Sequence, residues 1–266
     1  MVASISSFNL FLEKAILEEL NRSLAFGCVN KFSNGSHIDM TYQTFIASSK
    51  IIRKELSKIV WNSIVDFASL RICGYRVEKA MYEKTSGINT HKGLIFLIMF
   101  LALFYTKYGY IEGKEDEIAS FANPVSKDYK SVKKATNWHR LKINDIRYFP
   151  LTGFSDLINL SKETYMNNFE NTILTLKLIS LIDDTTTINR SSLKTITYVQ
   201  KEAKKILLLN KSEKEMLIKK ANILNNFYLK NNLSSGGVAD AFTIVKLLTY
   251  IREDAYGKNI SQPNKK

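Results

Sequence analysis

LIFLIMFLALFY, residues 94–105, is the most apolar stretch of the chain, and its reading decides the fold. A membrane-spanning helix needs roughly 20 apolar residues. This run has only a dozen, so it reads as a helix buried in a protein core rather than a span. Helical spacing also dominates on either side of it. In residues 8–24 the apolar Phe11, Leu12, Ala15, Ile16, Leu17 and Leu20 alternate with Glu13, Lys14, Glu18 and Glu19 at the period of an amphipathic helix. The same reading predicts helices over 42–74, 77–84, 92–108, 157–183, 194–209, 213–231 and 238–255. Two-residue alternation is too scarce to build a sheet, so the expected fold class is all-α, a single compact multi-helix domain.

The chain has 266 residues and is 45% hydrophobic, enough to fill a core without disulfides or metals. Three prolines and eleven glycines are scattered rather than gathered into a linker. One domain over residues 1–256 is therefore expected, with 257–266 as a flexible tail. The two cysteines, Cys28 and Cys73, are far apart and have no metal-ligand spacing, which fits a reducing cytoplasm. The first residues lack the pattern of a secretory signal.

Lys and Arg number 38 against 25 Asp and Glu, a formal charge of +13 that favours anionic partners. Much of this excess lies in residues 201–220, where no aromatic residues interleave with the lysines. That stretch reads as a solvated face rather than a nucleic-acid platform.

The junctions between helices have a different character. Residues 33–40 (SNGSHIDM), 85–93 (TSGINTHKG), 183–190 (DDTTTINR) and 233–240 (LSSGGVAD) are rich in small and polar residues. A helix start presents unpaired N–H groups and the positive end of the dipole, so Gly, Ser and Thr just before it let an anionic oxygen approach. Lys92 stands at the start of its helix, whereas basic residues favour the far end, which points to function. A carboxylate pair such as Asp39 and Asp184 suits Mg²⁺, which takes one or two carboxylates plus phosphates and water. Each signal also has an ordinary structural reading: a Ser-Gly-Gly is commonly a cap, and Asp183-Asp184 can simply end a helix. Of the three histidines, His37 and His91 lie beside candidate anion sites, whereas His139 has no patterned neighbours.

Taken in order, these segments resemble the ATP:dephospho-CoA triphosphoribosyltransferase family, also called triphosphoribosyl-dephospho-CoA synthases. The most specific element is Gly87-Ile88-Asn89-Thr90-His91-Lys92-Gly93, similar to the family's Gly-x-Asn-Thr-His-Lys-Gly. Residues 34–40, Asp184-Thr185 with Arg190, and residues 235–240 support it, and the similarity extends from about residue 15 to about 248. The resemblance implies an all-helical enzyme that moves the 5-triphosphoribosyl group of ATP to the ribose 2′-hydroxyl of dephospho-CoA and releases adenine. The product is the prosthetic-group precursor of an acyl carrier protein, so a pathway partner of that kind is expected.

Within the resemblance, the catalytic candidates are Asp39, His91, Asp184 and Asp240, with Asp39 and Asp184 as Mg²⁺ ligands. Nucleotide and phosphate contacts fall to Gly35, Ser36, His37, Asn89, Thr90 and Lys92. Arg147, Arg190, Ser235, Gly236 and Gly237 complete that set.

The chain departs from the family pattern at two stretches and at Thr186, where the family has Asn. A Pro-Lys-Pro-Gly stretch followed by Val-Asp becomes residues 24–30, with Ala25 for the lysine and Asn30 for the aspartate. A Gly-x-Arg-Gly-Glu-Ala segment becomes Asp145-Ile146-Arg147-Tyr148-Phe149-Pro150, which keeps only the arginine. These losses leave one alternative to the transferase, a catalytically degenerate nucleotide- or partner-binding module of the same fold, and the +13 charge leaves another, a basic nucleic-acid binder.

Overall fold

The computed structural model describes residues 4–126, 144–209 and 213–260, with side chains described to residue 255. The helices are α1 (Ile5–Leu20), α2 (Tyr42–Leu56), α3 (Phe67–Lys84), α4 (Lys92–Tyr108), α5 (Glu115–Ala122) and α6 (Ser155–Ser161). They continue with α7 (Asn168–Leu181), α8 (Thr185–Arg190), α9 (Leu193–Leu207), α10 (Lys214–Lys230) and α11 (Gly236–Ile260). No strand occurs among the described residues, so the all-α expectation holds.

The stretch 94–105 is a core helix: every residue from Leu94 to Tyr105 except Phe96 is buried. It ends at Gly109, whose φ of 81° supplies the left-handed cap that a side chain resists. Among the described residues, no helix is long and apolar enough to cross a membrane. Along α11, Phe242, Val245 and Leu248 sit in the core, and this helix packs against α1, α4, α6, α7 and α8. Helix α3 is held between α2 and α4.

Two expected helices are broken. Residues 57–66 interrupt the predicted 42–74 helix, and Asp66 starts α3 by accepting the Ser69 N–H at 2.8 Å while Ser69 Oγ accepts the Asp66 N–H at 3.2 Å. Helix α3 then runs on through Gly74 to Lys84, joining two predicted pieces. In the predicted 157–183 helix, Asn167 accepts the N–H groups of Phe169 and Glu170 and starts α7. In both places a side-chain oxygen satisfies backbone donors that an uninterrupted helix would have paired internally. Helix α11 begins two residues earlier than expected and extends to Ile260, beyond the expected edge of the folded unit.

Candidate active site

The starts of α4 and α11, together with residues of α8, border one cavity of about 920 Å³. Asn89, Thr90, His91 and Lys92 line it from the first junction, and Ser234, Gly236, Gly237 and Asp240 from the last. Thr185, Thr186 and Asn189 come from α8, His37 from the 33–40 loop, and Asp145 and Arg147 from the turn at Ile146–Tyr148. The volume lies in the upper part of the range for small-molecule sites. A more open depression of about 460 Å³ beside Lys50, Lys54 and Lys84 gathers none of these residues.

The remaining motif residues stand behind the wall. Gly27 has a φ of 81°, and a Cβ there would meet the Leu233 carbonyl oxygen at 2.0 Å. Gly35 is equally confined: its Cβ would lie 2.4 Å from the carbonyl oxygens of Gly27 and Cys28. The Ser36 N–H donates to the Gly27 carbonyl at 2.9 Å, and the Ser235 hydroxyl donates to the Phe26 carbonyl at 3.0 Å. Gly35, Ser36 and Ser235 thus lock residues 25–28, 33–37 and 233–235 together. Arg190 does similar work, donating to the carbonyls of Ser36 at 2.9 Å and Asn232 at 3.2 Å.

Arg190 also lies 3.1 Å from His37 Nδ1. A guanidinium only donates, so Nδ1 accepts and Nε2–H points to Ser234 Oγ at 2.9 Å. Burial first, and then the Arg190 charge, hold the His37 pKa below its ordinary value. Its 3.8 Å approach to Asp39 is therefore a weak pair, and Asp39 is largely exposed away from the cavity.

Asp184 is the hinge of the site. Its carboxylate accepts the N–H groups of Thr186 at 2.8 Å and Thr187 at 3.0 Å, which cap α8. The other oxygen accepts the Val238 N–H at 3.0 Å, with the Gly237 N–H also engaged, and so caps α11. One buried carboxylate thereby engages the Gly237 N–H, which the sequence reading assigned to a phosphate. Burial raises its pKa, and the four N–H groups oppose the rise.

Asp240 is different: it borders the cavity, and burial of its carboxyl, reinforced by Asp184 and Glu19, pushes its pKa well above the usual carboxylate range. The Leu94 N–H at the start of α4 works against that shift. A Cβ on Gly93 would fall 2.0 Å from Asp240 Oδ2, so the motif's last glycine is what lets this carboxyl reach the helix start.

His91 is 4% exposed and packs edge-on to Phe45 at 5.0 Å. Burial pulls its pKa down to about 3, so the ring is neutral near pH 7. A neutral ring contributes hydrogen bonds rather than charge. Its Nδ1 lies 2.7 Å from Ser48 Oγ, which in turn is 2.7 Å from Thr90 Oγ1. Sequence reasoning missed Ser48, although a serine pair, Ser48-Ser49, on an otherwise apolar helix face is a visible signal.

Lys92 donates to Glu78 at 2.8 Å, and this bond raises its pKa. Asn89 Oδ1 accepts the Lys92 N–H at 3.3 Å. Arg147 is engaged by Asp145, which occupies a position where the resembled pattern has glycine.

The expected Mg²⁺ pair does not fit. Asp184 is saturated by backbone donors and Asp39 lies off the cavity; among the described residues no group of three or more His, Cys, Asp or Glu side chains could hold a metal ion. His139 lies outside the described residues. Cys28 is buried with its pKa raised to about 11, chiefly by burial and then by Glu19, and so is an inert thiol.

Fold and site together define an all-helical protein with a small-molecule cavity at converging helix starts. The chain belongs to the ATP:dephospho-CoA triphosphoribosyl transferase family, whose model matches residues 6–259. It is 29% identical over 255 residues to Protein CitXG of Leuconostoc mesenteroides subsp. cremoris, covering 85% of this chain and 55% of that protein. The chain thus spans about half the length of that relative.

It is 26% identical over 280 residues to a probable 2-(5''-triphosphoribosyl)-3'-dephosphocoenzyme-A synthase of Photobacterium profundum, covering 90% and 85%. A protein of the same description from Streptococcus mutans is 24% identical, covering 94% of this chain and 97% of its own length. No solved structure matches the chain.

Proposed function

We propose that this chain transfers the 5-triphosphoribosyl group of ATP to the 2′-hydroxyl of 3′-dephospho-CoA and releases adenine. The observation that carries the reading is the meeting of Asn89–Lys92, Gly236–Asp240 and His37 around one cavity. In the balanced step the bond from C1′ to adenine breaks, a bond from C1′ to the acceptor oxygen forms, and one proton passes from the hydroxyl to adenine. Cleavage runs through an oxocarbenium-like state, as in glycoside hydrolysis.

Asp240 is the residue suited to that proton: a carboxyl whose pKa is raised by its surroundings is a better acid for departing adenine, and the carboxylate left behind accepts the hydroxyl proton. Neutral His91 orients substrate by hydrogen bonding, while Lys92 and Arg147 face phosphate oxygens. Mg²⁺ would enter with the triphosphate, since Asp39 and Asp184 do not form a matched pair facing the cavity. The reaction belongs in the cytoplasm and makes the precursor loaded onto an acyl carrier protein.

The ion pair between Asp145 and Arg147 favours a second reading, a nucleotide-binding module that has lost catalysis. Incubation with ATP, Mg²⁺ and dephospho-CoA separates the two. Adenine seen by chromatography only when acceptor is present supports transfer; ATP binding without adenine supports the module.

A further inference from the structure

We propose that the groove between α3 and α4 holds the pantetheine arm of the acceptor and is what distinguishes dephospho-CoA from a second ATP. The inference rests on the transferase reading above. ATP and dephospho-CoA share an adenosine 5′-phosphate unit, so polar residues alone would accept either in the acceptor position. Discrimination has to use what one has and the other lacks, here a long, uncharged arm whose methylene and gem-dimethyl groups alternate with amides.

The cavity offers a matching shape. On α3, Phe67, Leu70, Arg71, Gly74, Tyr75 and Glu78 fall at helical spacing along one cavity-facing stripe, mostly uncharged but crossed by one arginine. On α4, Lys92, Ile95, Phe96, Met99 and Phe100 face them. The charged end is the Glu78–Lys92 pair at 2.8 Å, next to the motif residues. At the far end, the Phe67 and Phe100 rings stack with centroids 5.9 Å apart, and Phe96 meets Phe100 edge-on at 5.5 Å.

From residue 78 to residue 67, at 1.5 Å per residue, the groove is about 16 Å long. That exceeds a purine ring and suits an extended chain. Gly74 opens it midway: a Cβ there would meet only Met99 Cγ, at 3.4 Å. Tyr75 is 66% exposed along the rim.

The test is titration calorimetry of the full chain with dephospho-CoA and with ADP, which shares the adenosine diphosphate but has no arm. Dephospho-CoA is expected to bind at least about tenfold more tightly. Gly74→Leu is expected to abolish that difference while leaving ADP and ATP affinities within about twofold. Gly74→Ala, which fits, serves as the control.

Tyr75→Ala, at an exposed position, is expected to weaken dephospho-CoA alone and stands in if Gly74→Leu does not fold. Equal affinities for dephospho-CoA and ADP, or an unchanged preference in a folded Gly74→Leu or Tyr75→Ala protein, would overturn the proposal. Arm-dependent binding without adenine release would remove the transfer reaction and leave the groove. Adenine release with ADP as an equal acceptor would do the reverse.

Discussion

His91 is held neutral inside the protein, and this has a measurable sign. Its folded pKa is about 3 against an ordinary 6.5, so as pH falls below 6.5 the unfolded chain takes up a proton that the folded chain refuses. Stability on this account is full above pH 6.5 and declines by roughly 1.4 kcal/mol per unit towards the folded value. Asp184 and Asp240, whose pKa values are raised, act oppositely in acid. Comparing the parent protein with His91→Asn cancels them: the stability difference measured by denaturant melts at pH 7.5 and pH 5 is expected to shrink in acid. A difference that stays constant with pH would show that His91 is not buried and neutral.

Lys92 is more exposed, and its pair with Glu78 contributes at most about 1 kcal/mol to the fold. Lys92→Ala should therefore leave the melting temperature nearly unchanged and weaken ATP binding by about tenfold. Unchanged affinity in calorimetry would exclude Lys92 as a phosphate contact. The presence of His91 and Lys92 in the site was legible in the sequence because their motif is dense and distinctive. The neutral state of His91 and the pairing of Lys92 were not, since they depend on Phe45 and Glu78 from the two preceding helices.

At the scale of elements, the site is an arrangement of helix starts held by acidic side chains. Asp184 caps α8 and α11 at once, so Asp184→Ala strands the N–H groups of Thr186, Thr187, Gly237 and Val238. Each lost cap costs about 1 kcal/mol, and donors left buried and unpaired add to it. A loss of about 3–5 kcal/mol is expected in chemical denaturation. A well-folded Asp184→Ala protein that had lost only its Mg²⁺ dependence would instead restore the metal-ligand assignment.

The sequence shows Asp184 in a motif but not which way it points, because a carboxylate before a helix can serve a ligand or the helix itself. The broken helices have a similar origin. Asp66-x-x-Ser69 and Asn167-x-x-Glu170 are visible caps, yet apolar residues continue across both breaks and mask them.

For the molecule as a whole, +13 leaves open two kinds of anionic partner, a polymer on the outer lysines or a phosphorylated small molecule within. The fold favours the second. Segments up to two hundred residues apart, such as His37 and Ser234, come into hydrogen-bonding contact beside one cavity. The lysine-rich α9 and α10 pack against α7, α8 and each other, and none of their residues lines the cavity. Amide hydrogen exchange with and without ATP plus dephospho-CoA discriminates most directly. Slowing is expected at residues 33–40, 89–96, 144–147 and 234–240 together, with residues 201–220 unaffected; protection confined to the lysine-rich helices, or none at the motif loops, would contradict the account.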